Sequence, residues 1–88
     1  MEKKKVAIIG VTGSVGQEFV QSLNDHPWFE VTQIAASERS AGKSYIDAIR
    51  NEGGIIMWDV GGEIPEYIKS MKVKTVDELD TSQLDLVF

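Results

Sequence analysis

The chain has 88 residues, a net charge of −5 and no cysteine. The length admits one small domain, and the acidic balance argues against a general nucleic-acid binder. Lacking cysteine, these residues can form no disulfide framework, thiolate metal site or cysteine nucleophile. No apolar run approaches the roughly 20 residues that cross a bilayer, and no signal-peptide pattern stands at the start, so a cytoplasmic protein without a membrane partner is expected.

The basic run Lys3-Lys4-Lys5 leads straight into Val6-Ala7-Ile8-Ile9 and reads as a solvated strand entry, not a nucleic-acid arm. A first strand is expected over residues 5–9; its apolar residues, 6–9, are continuous, as in a parallel strand covered on both faces. Gly10, Gly13 and Gly16 follow at intervals of three. An amphipathic helical pattern then runs over residues 14–24 and ends before Pro27. Val15, Phe19, Val20 and Leu23 fall on one face of it, with Gly16 among them, and Gln17, Glu18, Gln21 and Ser22 on the other. Ser14 and Gln17 have the spacing of a capping box.

A strand, a glycine turn and a helix N-terminus together form an anion site, because the first N–H groups of the helix lack internal partners and the helix dipole favours negative charge. The expected guest is the pyrophosphate of a dinucleotide. Gly10 suits the tight turn, Gly13 the approach of phosphate and Gly16 close packing of helix on strand. Thr12 and Ser14 can add hydroxyl donors.

Residues 30–36 read as a second strand. In NAD binders an acidic residue about 20 positions beyond the turn takes the ribose hydroxyls. Here that distance from Gly16 reaches Ser37-Glu38-Arg39-Ser40. An arginine between two serines suits the 2′-phosphate of NADP, since a guanidinium fork matches a phosphate. Glu38 is the competing signal, for NAD. Lys43 adds charge to the loop or lies in solvent.

Residues 44–50 fit a short helix. Two glycine pairs, at 53–54 and 61–62, bracket an apolar run over 55–60 that fits a short strand or a flap between turns. Residues 64–71 open with Pro65 and fit a helical turn. Residues 71–76 and 84–88 look like strands. The second of these has no turn signal after it, which predicts a cut through a larger fold. His26, at a helix end before Pro27, reads as a surface position or dipole contact. Trp28 and Phe29 read as packing beneath the helix-to-strand link, and Tyr45 and Trp58 as core or lid. No residue is assigned a catalytic role. The acidic residues from Asp77 to Asp85 lack the recurring spacing of a metal site.

Three motifs resemble the start of the aspartate-semialdehyde dehydrogenase family, in its archaeal and fungal branch. They are GVTGSVGQ at 10–17, DHPWFEV at 25–31 and ASERSAGK at 36–43. Weaker similarity continues through IPEYIKSMKVK at 64–74 and LDLVF at 84–88. The resemblance implies a Rossmann-like α/β fold, a parallel sheet with flanking helices, of which residues 1–88 are a partial NADP-binding domain. It implies NADP as cofactor, a homo-oligomeric parent, and reductive dephosphorylation of aspartyl β-phosphate to the semialdehyde in amino-acid biosynthesis. In such enzymes a cysteine attacks the acyl phosphate and a histidine acts as acid and base. Both belong to regions this chain does not contain, so cofactor binding is the expected contribution. Carried onto this sequence, the pyrophosphate contacts are Thr12, Gly13, Ser14 and Val15. The adenosine-phosphate contacts are Ser37, Arg39 and Ser40.

Two related acyl reductases, acting on malonyl-CoA or N-acetylglutamyl phosphate, are alternatives that the SERSAGK loop disfavours. An extended short-chain dehydrogenase would need a Tyr-x-x-x-Lys pair. Tyr45 and Tyr67 are instead followed at that spacing by Ile49 and Met71. A non-catalytic dinucleotide-binding module is the remaining alternative.

Overall fold

The computed structural model describes residues 2–88. Four strands form one parallel sheet: β1 (Lys4–Ile9), β2 (Phe29–Ala35), β3 (Val73–Lys74) and β4 (Leu86–Val87), in the order β3-β2-β1-β4. Helix α1 (Ser14–Ser22) connects β1 to β2, and α2 (Tyr45–Ala48) and α3 (Glu66–Lys69) lie between β2 and β3. This is the expected Rossmann-like arrangement. The chain builds outward from β1 to β3 and then returns to the other side of β1. The strand order therefore reverses beside β1, where open parallel sheets place their ligands, at the carboxyl ends of the strands.

Local sequence explains the central strand. Val6, Ala7 and Ile8 are all fully buried. Neighbouring side chains in a strand point to opposite faces, so neither face of β1 is open there. β1 and β2 pair from Lys4 with Phe29 to Ile9 with Ala35, with one irregularity at which Thr32 is skipped. The core continues through Val11, Val20, Leu23, Ile34, Tyr45, Ile49, Ile68 and Val73. Tyr67 ties α3 to α1 by donating its hydroxyl to the Val20 carbonyl at 2.7 Å.

In the link after α1, Phe29 packs as expected, Trp28 does not, and His26 adds a bond. His26 Nδ1 accepts the Trp28 N–H at 3.1 Å, so the imidazole fixes the turn, and its ring lies 5.0 Å from that of Phe29. Phe29 and Phe19 both pack on Phe88. Trp28 itself is exposed rather than packed beneath the link.

The helical pattern of α1 is corrected at three points. Val15 is 71% exposed, whereas Gln17 is 1% exposed. The Ser14–Gln17 capping box does not form: Gly13 is the N-cap, without a side-chain hydrogen bond. Gly16, Gln17 and Val20 are the residues that α1 buries. Gln17 turns inward because it has backbone partners, described below.

The run over 55–60 is a flap rather than a strand. Its one ladder contact is an antiparallel bridge between Arg50 and Ile56. The Asn51 N–H donates to the Ile55 carbonyl at 2.9 Å, and the Met57 N–H donates to the Ile49 carbonyl at 2.8 Å. The Asn51 side chain accepts from Gly53 and Ile55 and closes the tip. No helix among the described residues is long and apolar enough to cross a membrane.

Candidate functional site

The glycine turn leaves β1 at Ile9. Gly10 takes φ +71°, a left-handed conformation that disfavours any Cβ. The N–H groups of Gly10 and Val11 both donate to the Ala35 carbonyl, at 2.9 and 3.2 Å. This bond pair ties the turn to the carboxyl end of β2. From below, the buried Tyr45 hydroxyl donates to the Val11 carbonyl at 3.0 Å. Burial, and then the nearby Tyr67, push the Tyr45 hydroxyl far above its ordinary range, so it keeps the proton it donates.

The other two glycines do different things. A Cβ on Gly16 would collide with the Gly10 carbonyl oxygen and sit 2.7 Å from Val11 Cα. Gly16 therefore lets α1 press against the turn. A Cβ on Gly13 would meet nothing closer than the Gly10 oxygen at 3.7 Å, an ordinary contact. Gly13 is also extended, at φ −79° and ψ 173°, where any residue is at ease. Nothing inside the protein requires glycine at 13, and its open side faces outward, where a ligand would approach.

The first bond of α1 runs from the Gln17 N–H to the Gly13 carbonyl. Among the described residues, the N–H groups of Thr12, Ser14, Val15 and Gly16 find no internal acceptor. Thr12 is half-buried, and Gly13, Ser14 and Val15 are exposed. The turn therefore presents unpaired backbone donors at the positive end of a nine-residue helix. Of the expected Thr12, Gly13, Ser14 and Val15, the Gly13 N–H is instead taken by the Gly10 carbonyl at 3.2 Å, and the Gly16 N–H joins the free set.

The loop after β2 lies beside it. Ser40 and Ala41 N–H groups both donate to the Ser37 carbonyl, which makes a compact turn. Bonds from Ala36 to Lys74, and from Gly42 to Val73, fasten the loop to β3. Ser37, Glu38 and Arg39 are exposed, and Ser40 is buried. The Arg39 guanidinium makes no ion pair or hydrogen bond among the described residues.

A cavity of about 300 Å³ brings Thr12 together with Ser37, Arg39 and Ser40, and adds Arg50 and Met57. Thr12 is the residue of the glycine turn that lines it; Gly10, Gly13, Ser14, Val15 and Gly16 do not. A cavity of about 320 Å³ opens at the opposite end of the strands, beside Lys3, Phe29 and Tyr67, and contains no residue of the glycine turn. The described residues include no cluster able to hold a metal ion.

Two features of the site escaped the sequence reading. The buried Gln17 amide donates to Thr12 O at 3.0 Å and to Met57 O at 2.9 Å, while its oxygen accepts the Asp59 N–H at 2.7 Å. It clamps the flap onto the glycine turn. Its helical spacing offered one clue, since it lies three residues before the buried Val20. The second is Arg50, which the flap carries to the cavity. No local signal in the sequence distinguishes it from a surface arginine.

Comparison with known proteins agrees with this geometry. Residues 5–88 match the family described as "Semialdehyde dehydrogenase, NAD binding domain". The chain is 42% identical over 88 residues to an aspartate-semialdehyde dehydrogenase of Schizosaccharomyces pombe, covering all of this chain and 23% of that protein. It is 41% identical over 83 residues to the enzyme of the same name from Methanothermobacter thermautotrophicus, covering 94% of this chain and 22% of that one. The crystal structure of aspartate-semialdehyde dehydrogenase with NADP from Candida albicans superposes with a TM-score of 0.82 at 38% identity. That alignment covers 99% of this chain and 23% of the other. The chain thus spans under a quarter of the length of these relatives, and over that span it belongs to the semialdehyde dehydrogenase NAD-binding domain family.

Proposed function

We propose that the chain is the N-terminal, NADP-holding part of an aspartate-semialdehyde dehydrogenase. The observation that carries this reading is the set of unpaired amides at Thr12, Ser14, Val15 and Gly16, with Thr12 lining the same cavity as an unpartnered Arg39. The Thr12, Ser14, Val15 and Gly16 N–H groups would hold the pyrophosphate, with Gly10 shaping the turn, Gly13 leaving room for the phosphate and the Thr12 and Ser14 hydroxyls beside it. Ser37, Arg39 and Ser40 would receive the 2′-phosphate. Glu38 is exposed and need not face that phosphate. When bound, the reduced nicotinamide supplies hydride to the acyl group derived from aspartyl β-phosphate. The residues of this chain bind and orient the dinucleotide. The cysteine nucleophile and the acid–base histidine of that reaction, and the dimerisation domain, lie outside these 88 residues. The same reading makes the parent a cytoplasmic homo-oligomer.

Calorimetric titration of the chain with NADPH and NADH tests the proposal. NADPH should bind more tightly. Arg39→Ala should narrow the gap by about 1.5–3 kcal/mol, the worth of a hydrogen bond to a charged group. An unchanged gap would remove Arg39 from the site, and a chain that binds neither cofactor would refute the proposal as a whole.

A further inference from the structure

The flap brings a second guanidinium to the cavity that holds Arg39, and resting on the NADP reading above, we propose that Arg50 is a second receptor for the 2′-phosphate. Arg39 and Arg50 line the 300 Å³ cavity together with Ser37 and Ser40. The same two arginines, with Lys43, line an adjoining cavity of about 500 Å³, whose other side carries Asn51 and Glu52. The two cavities share Arg39 and Arg50 and with Lys43 gather three cations beside one carboxylate, Glu52, on a chain whose net charge is −5.

The hairpin at 50–56 sets the direction of Arg50. Its Nε donates to Asp47 Oδ1 at 3.3 Å, and its Nη1 donates to the Gly54 carbonyl at 2.9 Å. The second terminal nitrogen, Nη2, has no acceptor among the described residues. Asp47 and Arg50 are both largely exposed, so their pairing adds little to stability. Its effect is orientation: two of the guanidinium's edges are occupied, and the free one remains for a ligand. The Gly53-Gly54 pair thereby gains a purpose, since the tight tip it permits offers the Gly54 carbonyl back to Arg50.

Charge gives the physical reason for a second cation. A phosphate monoester carries about −1.5 to −2 near neutral pH. Arg39 alone balances one unit, and the serine hydroxyls balance none. Arg39 and Arg50, which line the same cavity, bring a second positive charge to the dianion, shared in part with Asp47, and offer several N–H donors to its three oxygens. An unphosphorylated ribose would leave Arg39 and the Nη2 of Arg50 without an acceptor, which disfavours NAD.

The test separates the phosphate from the rest of the nucleotide. The chain and its Arg50→Ala, Arg50→Lys and Arg39→Ala variants are titrated with adenosine 2′,5′-bisphosphate and with 5′-AMP. Arg50→Ala should weaken the bisphosphate about tenfold and leave 5′-AMP unchanged, with Arg50→Lys falling between. Equal weakening of both nucleotides would mean that Arg50 only supports the hairpin, and would overturn the proposal. Unchanged bisphosphate binding in Arg50→Ala, with loss in Arg39→Ala, would overturn it while leaving the NADP reading intact. A wild-type chain that does not prefer the bisphosphate would overturn both.

Discussion

At the scale of single residues, the three glycines of the turn separate into two that the fold requires and one that it does not. Gly10 answers to a backbone angle, Gly16 to a collision with the Gly10 carbonyl, and Gly13 to neither. Gly16→Ala should therefore destabilise the fold by about 1–3 kcal/mol, because backbone must move to admit the methyl group. Gly13→Ala should shift stability by less than about 1 kcal/mol, yet weaken NADPH by about 1.5–3 kcal/mol, because the added methyl group would hold the phosphate away from the free amides of the neighbouring residues. Urea melts and titrations of the two variants check both halves. If Gly13→Ala bound NADPH like the wild type, the phosphate would lie elsewhere. The division of labour was legible from spacing alone, because a strand before and a helix after leave few ways to place three glycines. Val15 and Gln17 were not legible. A helical wheel ranks residues by hydrophobicity, whereas Gln17 is buried by its backbone partners in a segment forty residues away in sequence.

At the scale of elements, short helices and strands are held by side chains that bond to backbone in both directions. Gln17 does this for the flap. Gln33 does it for the segment before β4, donating to Asp80 O at 3.0 Å and accepting the Asp80 N–H at 2.9 Å. Gln17→Leu keeps the volume and removes three bonds, so it should lower stability by about 1–3 kcal/mol and free the flap. Hydrogen exchange at the Asp59 amide reads this directly, and retained protection there would mean that the flap is held by other contacts. Tyr67 makes the link between α3 and α1 sensitive to alkali. Burial pushes its hydroxyl up to about 12, against about 10 in an unfolded chain. The folded state holds the proton more tightly, so this stabilisation is full below about pH 10 and is lost as pH rises from about 10 to about 12. Tyr45 shifts in the same direction. Tyr67→Phe should flatten this alkaline decline in urea midpoints, and an unaltered decline would assign it to other groups. Elements with a clear period, β1, α1 and β2, were placed by sequence to within a few residues. The flap was not, since its form depends on contacts that no local pattern encodes.

At the scale of the molecule, the sheet order is what turns scattered motifs into one site. Parallel pairing of β1 with β2 brings the ends of both strands to the same edge, and the Ala35 carbonyl joins them there. The GVTGSVGQ and ASERSAGK segments, distant in sequence, thereby face one cavity. On the far side, Ile9, Leu86, Val87 and Phe88 stay partly exposed along β4. The central claim is that the edge made by β1, β2 and the start of α1 receives the dinucleotide. Backbone amide NMR during titration of the labelled chain with NADPH tests it most directly. The account predicts shifts concentrated at Thr12 through Gly16 and at Ser37 through Ser40. Shifts confined to the opposite end, around Lys3, Phe29 and Tyr67, or none at saturating NADPH, would contradict it.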